Sequence, residues 1–432
     1  VRKQRVLILG LGKTGLSAIE YFQNKSYQIF LYDDNHQLLS KFCDKYKIEP
    51  FHYNKIDLLF VSPGITNNKI KKHEVISWAQ KQNIPVTSDI EIFQKNNLHS
   101  RFIGITGTNG KSTTTALIGT ILKRLNGLRI EVCGNIGVPV LTTKPADIYV
   151  MELSSYQLDL LPEIILDIAV CLNVTPDHLN CYLDLDDYAR SKSRIFSENS
   201  INITSADYES CRKFAPANCK KFSREQILDE GVSIINNQLY INDCIYSVPQ
   251  NQSLLGKYNA ENIAAATAVC LALDISIDDI LCGIKEFPGL SHRMEVVFYN
   301  KEMNVSYIND SKATNATSTR AAFEAIKDKR IIWIAGGISK DDGIESLSDF
   351  FKQLEKVYLI GSSTDDFYAT LTRYHVNCEK SYTLEVALNA INDCRDCIVL
   401  LSPACASTDQ WKNFEDRGDF FRNFYIKKYF IK

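Results

Sequence analysis

Between Arg5 and about Ile92, short apolar runs (VLILG, IFLYDD, DLLFVSPG) alternate with amphipathic stretches such as GLSAIEYFQN. Apolar runs of that length are strands, and apolar residues spaced three and four apart mark helices. Strand and helix taking turns predicts βαβ units and a mainly parallel sheet, ending near Lys95–Leu98. The pattern restarts at RFIGIT and continues through DIYVMELSS and DIAVCLNVT to a helical segment, LDDYARSKSRIFSEN. From about Ser200 to Leu254 it changes to short alternating segments with Asn and Asp turns, GVSIINNQLYINDCIYSVP, which predicts a small antiparallel insert. A helical NAENIAAATAVCLALD closes this block, and a third begins near Pro288 with strands IIWIAGG, KVYLIGS and CIVLLSPA between helical patterns. The expected fold class is α/β with three domains, each a mainly parallel sheet with flanking helices. They span residues 1–95, 96–289 (with a phosphate-loop-like centre and the insert) and 290–432.

Composition narrows the partners. A chain of 432 residues suits three domains at roughly 150 residues each. Lys plus Arg at 49 against Asp plus Glu at 51 leaves a formal charge of -2, so no strong field calls for nucleic acid or an anionic membrane. The 13 cysteines are odd in number and scattered through apolar stretches, which predicts individual reduced thiols and a cytoplasmic location. VRKQRVLILGLG places basic residues before apolar ones, but its apolar run is short and ends in glycines, so it reads as a first strand. No run approaches the ~18 apolar residues that cross a bilayer. Small-molecule chemistry is the expectation, with no nucleic acid and no membrane insertion.

The segment Gly104–Thr115, GITGTNGKSTTT, follows a strand and opens a helix, where backbone N–H groups and the helix dipole can face a phosphate. The common pattern GxxxxGK[ST] needs a glycine where Ile105 stands, so Gly107 has to carry the turn. Lys111 would then reach the terminal phosphates and Ser112 a magnesium ion, with Thr113 or Thr114 as substitutes. The bland alternative is a glycine-rich turn with a solvated lysine. A second such loop, GLGKTGLS from Gly10 to Ser17, is followed by Asp33 at dinucleotide-fingerprint spacing. Two nucleotide-type loops suggest two phosphorylated ligands, the first loop taking a substrate diphosphate. Glu152 and His178 follow strands of the second block and fall at the sheet edge beside the phosphate loop, where a metal could bind. A capping glutamate and a loop histidine are their alternatives.

GITGTNGKSTTT, ELSSYQL, NVTPDHL, YARSKSRIF, GKYNAENIAAA, SHRMEVV, NDSKATN and LSPACASTDQWKNFEDRGDFF, in this order, resemble the Mur ligases of peptidoglycan assembly. The likeness covers nearly the whole chain apart from the insert near 200–250. The family loop GTNGK[ST] is complete from Gly107 to Ser112. The resemblance implies ATP-driven amide formation through an acyl phosphate, with UDP-N-acetylmuramoyl-L-alanine and D-glutamate as substrates and Mg2+ at two sites. It implies catalytic roles for Lys111, Glu152, His178 and Lys192, the last as a carbamate. Ser112, Glu152, His178 and that carbamate would bind metal. ATP contacts fall on Gly107, Thr108, Asn109, Gly110, Lys111, Ser112, Thr113, Asn259, Asn262, Arg293 and Asp310. The UDP-substrate contacts are Lys13, Thr14, Asp33, Ser62, Gly64, Asn135 and His178, and the D-glutamate contacts are Lys312, Thr314, Lys340, Ser407 and Phe414.

The chain departs from the family pattern at Asn180-Cys181-Tyr182, where Asp-Arg-His is frequent, at Asn35, where a basic residue is frequent, and at Tyr258, where histidine is common. Two other readings stay open. One is a related Mur or folylpolyglutamate-type ligase that adds another amino acid. The other is a non-catalytic nucleotide-binding sensor that uses Gly10–Gly15.

Overall fold

The structure, a computed structural model, describes residues 3–53, 55–65, 70, 72–135, 137–161, 163–177, 181–254, 256–327, 329–339, 343–392 and 394–430, the side chains of Gln252, Lys257 and Phe430 excepted. The chain forms two compact units, Val1–Pro249 with Tyr258–Glu286, and Gln250–Lys257 with Phe287–Lys432.

The first unit holds two sheets. One has five strands, ordered Glu49–Pro50, Gln28–Tyr32, Arg5–Leu9, Leu58–Val61 and Val86–Thr87, all paired in parallel. Its central strand, Arg5–Leu9, is buried from Val6 onward, as expected for a strand covered by helices on both faces. The helix Asp89–Asn96 sends Phe93 into the core of the next sheet, 4.6 Å from the Tyr149 ring centroid.

The second sheet has nine strands. Its parallel centre is Ile168–Cys171, Arg101–Thr106, Ile148–Glu152 and Ile130–Gly134. Here the expected insert takes a different form. Ile201–Ser205, Lys220–Ser223 and Val232–Ile235 extend the central sheet in parallel, and only the last hairpins, through Gln238–Ile241 and Cys244–Ser247, are antiparallel. The segment is an added edge of one sheet, because Ile201–Ser205 pairs directly with Ile168–Cys171.

The second unit contains a six-stranded sheet, ordered Glu295–Asn300, Val305–Asn309, Cys397–Leu401, Arg330–Gly336, Leu354–Ile360 and Cys378–Tyr382. Only its first pair is antiparallel. Trp333 anchors one face, fully buried, with its indole N–H donating to the Ser402 carbonyl at 2.7 Å.

Two further differences from expectation have local causes. The helix expected over LDDYARSKSRIFSEN ends at Ser193, where Arg194 turns to donate to the carbonyls of Leu158 and Leu161. The cysteines are not all scattered, since Cys394 and Cys397 form a Cys-x-x-Cys pair, both buried and both free thiols. Among the described residues no helix is long and apolar enough to cross a membrane.

Candidate active site

The strand Arg101–Thr106 delivers the chain into a turn at Gly107–Gly110, and the helix Lys111–Lys123 starts at once. Gly110 caps that helix at φ 81°, and a Cβ there would lie 2.2 Å from the Asn262 Oδ1. Both backbone conformation and space therefore demand glycine. The loop is held from outside by Asn173, whose Oδ1 accepts from the Asn109 N–H at 2.8 Å and whose Nδ2 donates to the Asn109 carbonyl at 3.2 Å. Thr108 donates to the Thr175 carbonyl at 3.3 Å and accepts from the Thr175 N–H at 3.1 Å. Lys111 folds back, its Nζ donating to the carbonyls of Gly107 and Thr108, each at 2.8 Å. A cation is thus tied to a loop whose N–H groups open a long helix, the arrangement that suits a phosphate. Ser112 lies buried in the first turn, with Thr113 half-buried beside it.

Lys192 joins this loop from far away in sequence. Asp184 caps the helix Leu185–Ser193 by accepting from the Asp187 N–H at 2.8 Å, and acidic residues occupy its first turn with basic ones in the last. That places Lys192 in the last turn, where tertiary packing leaves it only 1% exposed. Its Nζ donates to the Gly107 carbonyl at 2.8 Å and lies 4.4 Å from the Tyr188 ring centroid. Burial, reinforced by the Lys111 charge, pushes its pKa down to about 7. An amine in that condition is substantially neutral near pH 7, unlike a solvated lysine at ~10.4.

Glu152 ends the strand Ile148–Glu152, next to Arg101–Thr106, and is 2% exposed. Its Oε1 accepts from the Asn135 Nδ2 at 3.1 Å, whereas Oε2 is buried with no hydrogen-bond partner among the described residues. It caps no helix. A buried carboxylate oxygen with no donor is a place for a cation.

On the other flank, Asn262 Oδ1 accepts from the Thr114 hydroxyl at 3.1 Å, and its Nδ2 donates to Asn259 Oδ1 at 3.0 Å. The helix Lys257–Ala272 begins before Asn259, so this residue lies inside the first turn and is not its N-cap. Tyr258, the departure noted above, stands 5.2 Å from the Arg224 guanidinium across its ring. Glu261, in the same helix, is almost fully buried. Its Oε1 accepts from Asn173 Nδ2 at 2.5 Å, and its Oε2 from the Tyr208 hydroxyl at 3.1 Å, with Arg224 Nε 3.4 Å away. Burial raises its pKa while these three partners oppose the rise. Glu261 and Asn173 thus brace the phosphate loop from behind. Sequence reading assigned neither a role, although both lie within motifs it singled out, NVTPDHL and GKYNAENIAAA.

In the five-stranded sheet, Gly10–Ser17 leaves a strand and opens the helix Lys13–Asn24, so Lys13 and Thr14 occupy its first turn. Asp33 Oδ2 accepts from the Leu11 N–H at 2.7 Å and Oδ1 from Asn35 N–H at 2.9 Å, so this carboxylate ties down the glycine loop. Ser62 donates to the Gly10 carbonyl at 2.7 Å, and Gly64 follows two residues later in the turn after Leu58–Val61. Asn35 caps the helix His36–Tyr46 by accepting from Leu38 N–H, a local use for a residue at that departure.

The second unit gathers its candidates at the carboxyl ends of Val305–Asn309 and Cys397–Leu401. Asp310 Oδ2 accepts from the Ser402 hydroxyl at 2.8 Å and Oδ1 from the Met294 N–H at 3.2 Å. Burial pushes its pKa up to about 7, against these bonds and the nearby Arg293 charge. Since the folded pKa exceeds the ordinary carboxylate value, stability from this group is largest at acid pH and falls as pH rises toward 7. Asp310→Asn should remove that fall. The difference in melting temperature between variant and wild type is expected to grow in the variant's favour from pH 5 to pH 8, and a pH-independent difference would contradict the burial argument.

Lys312 Nζ lies 3.8 Å from the centroid of the Phe414 ring, the first residue of the helix Phe414–Phe430. Thr314 is half-buried, and Ser407 is buried in a turn, where its carbonyl accepts from the Trp411 N–H at 2.9 Å. Residues 408–410 form a turn and the next helix begins only at Phe414, so Ser407 caps no helix. His178 and Lys340 lie outside the described residues, as does Asn180 of the departing triplet. Among the described residues no group of three or more His, Cys, Asp and Glu side chains could hold a metal ion.

A GTNGKS turn between strand and helix, a buried lysine on its carbonyl and a half-partnered carboxylate one strand away define a phosphate-binding α/β protein. Three family models match the chain: the Mur ligase MurD-like N-terminal domain over residues 4–88, the Mur ligase middle domain over 105–270 and the Mur ligase glutamate ligase domain over 292–405. The chain belongs to the Mur ligase family. It is 39% identical over 442 residues to the UDP-N-acetylmuramoylalanine--D-glutamate ligase of Rickettsia prowazekii, with 97% of each chain covered. A protein of the same name in Wolbachia pipientis is 35% identical, covering 97% of this chain and 96% of the relative. UDP-N-acetylmuramate-alanine ligase MurC from Thermotoga maritima, 17% identical, shares the fold, with a TM-score of 0.62 over 99% of this chain and all of that one.

Proposed function

We propose that this chain joins D-glutamate to UDP-N-acetylmuramoyl-L-alanine, using ATP to activate the substrate carboxylate as an acyl phosphate, in peptidoglycan synthesis. Relatives of that name at 35–39% identity over nearly the full chain support the reading. The structural observation that carries it is Lys192, a buried lysine with a depressed pKa, 2.8 Å from the carbonyl of a GTNGKS loop. The domain limits that go with this reading are 1–95 for UDP, 96–289 for ATP and 290–432 for the amino acid.

Two anions must meet in this reaction, so the site has to supply positive charge and fix the line of attack. The loop N–H groups of Gly107–Ser112 hold the phosphates, and Lys111 offsets charge on the one transferred. Glu152 fits a cation, because its buried Oε2 has no donor among the described residues. Magnesium would be held by Glu152 and Ser112, with His178 and the Lys192 carbamate completing the set, and would neutralise phosphate charge when bound. Lys192 has the first requirement of a carbamate, a nitrogen that is partly neutral near pH 7 and so able to add to carbon dioxide. In the other unit, Lys312, Thr314, Lys340 and Ser407 offer cations and hydroxyls to the two carboxylates of D-glutamate, and Phe414 shapes the cavity.

The test is phosphate release from ATP with UDP-N-acetylmuramoyl-L-alanine and a panel of D- and L-amino acids. Turnover is expected with D-glutamate. Preference for L-alanine or a diamino acid, or no ATP consumption with any of them, would overturn the assignment.

A further inference from the structure

Cys394 and Cys397 are 7% and 4% exposed, and their thiols are in contact, the Cys397 S–H donating to the Cys394 sulfur. The Tyr307 hydroxyl lies 3.9 Å from Cys394 Sγ and 2.8 Å from the Tyr429 hydroxyl. The Lys428 ammonium, which donates to the Ile391 carbonyl at 3.5 Å, adds a positive charge nearby. The bond from Cys397 is the main cause lowering the pKa of Cys394; burial opposes it, and Tyr307 and Lys428 add to the fall. The same contact, together with burial, raises the pKa of Cys397, which keeps its proton. The pair is therefore unequal, with one sulfur that ionises readily beside one that does not.

Their places in the chain make the same division. Cys397 opens the strand Cys397–Leu401 and is paired on both sides, opposite Val305 and Arg330, so its backbone is fixed. Cys394 lies in the connection from the helix Leu384–Ala390 and belongs to no strand, so it is the half that can shift to close a bond. Asp396 turns this connection at φ 50° and ties it down, its N–H donating to the Met303 carbonyl at 3.0 Å and its Oδ1 accepting from Asn304 Nδ2 at 2.9 Å. Arg395 and Asp396 are exposed, so a single turn of chain separates the two sulfurs from water. The pair sits at the opposite end of the strand from Ser402 and Ser407, and no role in the amino-acid pocket accounts for it.

We propose that Cys394 and Cys397 form a modification site that hydrogen peroxide converts to a disulfide, with Cys394 as the attacking sulfur and Cys397 as the resolving one. The Cys394 thiolate attacks one peroxide oxygen and the O–O bond breaks. The hydroxide that leaves takes up the proton Cys394 had released, giving water and a sulfenic acid. The Cys397 sulfur then attacks the Cys394 sulfur. An S–S bond forms, the S–O bond breaks, and the departing hydroxide takes the Cys397 proton to give a second water. Two thiols are oxidised to one disulfide and one peroxide is reduced to water, so atoms and electrons balance. A small dithiol reverses the change by exchange. The peroxide is small enough to reach sulfurs that the Arg395–Asp396 turn hides from bulkier reagents. This chemistry is separate from the ligase reaction and does not depend on it.

The test is to treat the reduced full-length protein with limiting hydrogen peroxide at neutral pH, alkylate the remaining thiols and map the peptides over time. The Cys394–Cys397 disulfide is expected first, forming about tenfold or more faster than the exposed Cys244 and Cys282 oxidise. The intact mass should fall by two hydrogens and return with dithiothreitol. Cys397→Ser should stop at a sulfenic acid on Cys394, trapped by dimedone, and in Cys394→Ser the remaining Cys397 should react no faster than Cys244 or Cys282. Oxidation of those exposed thiols ahead of the pair would overturn the proposal, as would a pair still reduced when they are consumed. Rapid oxidation of Cys397 in Cys394→Ser would overturn the assignment of the attacking sulfur. If either variant does not fold, the peptide map of the wild type decides alone.

Discussion

Lys111→Ala is expected to lower kcat by far more than tenfold while ADP binding weakens much less. The Lys111 ammonium is held by two loop carbonyls at 2.8 Å, so its charge is fixed against the loop. Removing it leaves intact the Gly107 and Gly110 turns, the Asn173 brace and the N-terminus of the helix Lys111–Lys123, which together suffice to hold a diphosphate. The charge that offsets the transferring phosphate is what disappears, and such preorganised charge acts chiefly in the transition state. Single-turnover rates and ADP titration separate the two effects. A variant that keeps more than about a tenth of wild-type kcat, a loss under ~1.4 kcal/mol, would exclude Lys111 from phosphoryl transfer.

Lys192→Ala should be nearly inactive and partly rescued by formate or acetate. The wild-type side chain is buried, donates to the Gly107 carbonyl and has a pKa near 7 through burial and the Lys111 charge. Under the proposed function it would be a carbamate, which would change its sign and let it help hold magnesium with Glu152. Alanine vacates that space, and a small carboxylate can enter it and restore two oxygens, whereas neutral molecules of similar size cannot. The fold should survive, because the hydrogen bond that Lys192 gives up goes to a neutral acceptor, the Gly107 carbonyl. Turnover is measured with and without the acids at constant ionic strength, alongside the intact mass of the wild type. Near-normal activity of the variant, with no added mass on wild-type Lys192, would return this residue to a structural role.

Legibility differed between residues for physical reasons. Gly107–Ser112 was readable because phosphate binding by backbone amides forces a contiguous motif at a strand-to-helix junction. Lys192 was readable only by resemblance. On its own helix, with Arg190 and Arg194 nearby, it looks like a solvated charge, and its burial comes from packing against a loop 85 residues away. Glu261 went unassigned because a charge inside a helical stretch carries no sign of being buried. The insert was read correctly as short strands with Asn turns, yet its attachment to the edge of the nine-stranded sheet depends on long-range pairing that no local pattern encodes.

By itself, the sequence determined the succession of strands and helices, the two glycine loops, the α/β class and the family, because periodicity and loop chemistry are local properties of the chain. The tertiary structure decided which charges are removed from water and what faces them. It places Lys192 against Gly107, leaves one oxygen of Glu152 without a donor among the described residues, and links Glu261 to the phosphate loop through Asn173. Desolvation depends on every element packed around a group, so the lowered pKa of Lys192 arises only once the sheets are assembled.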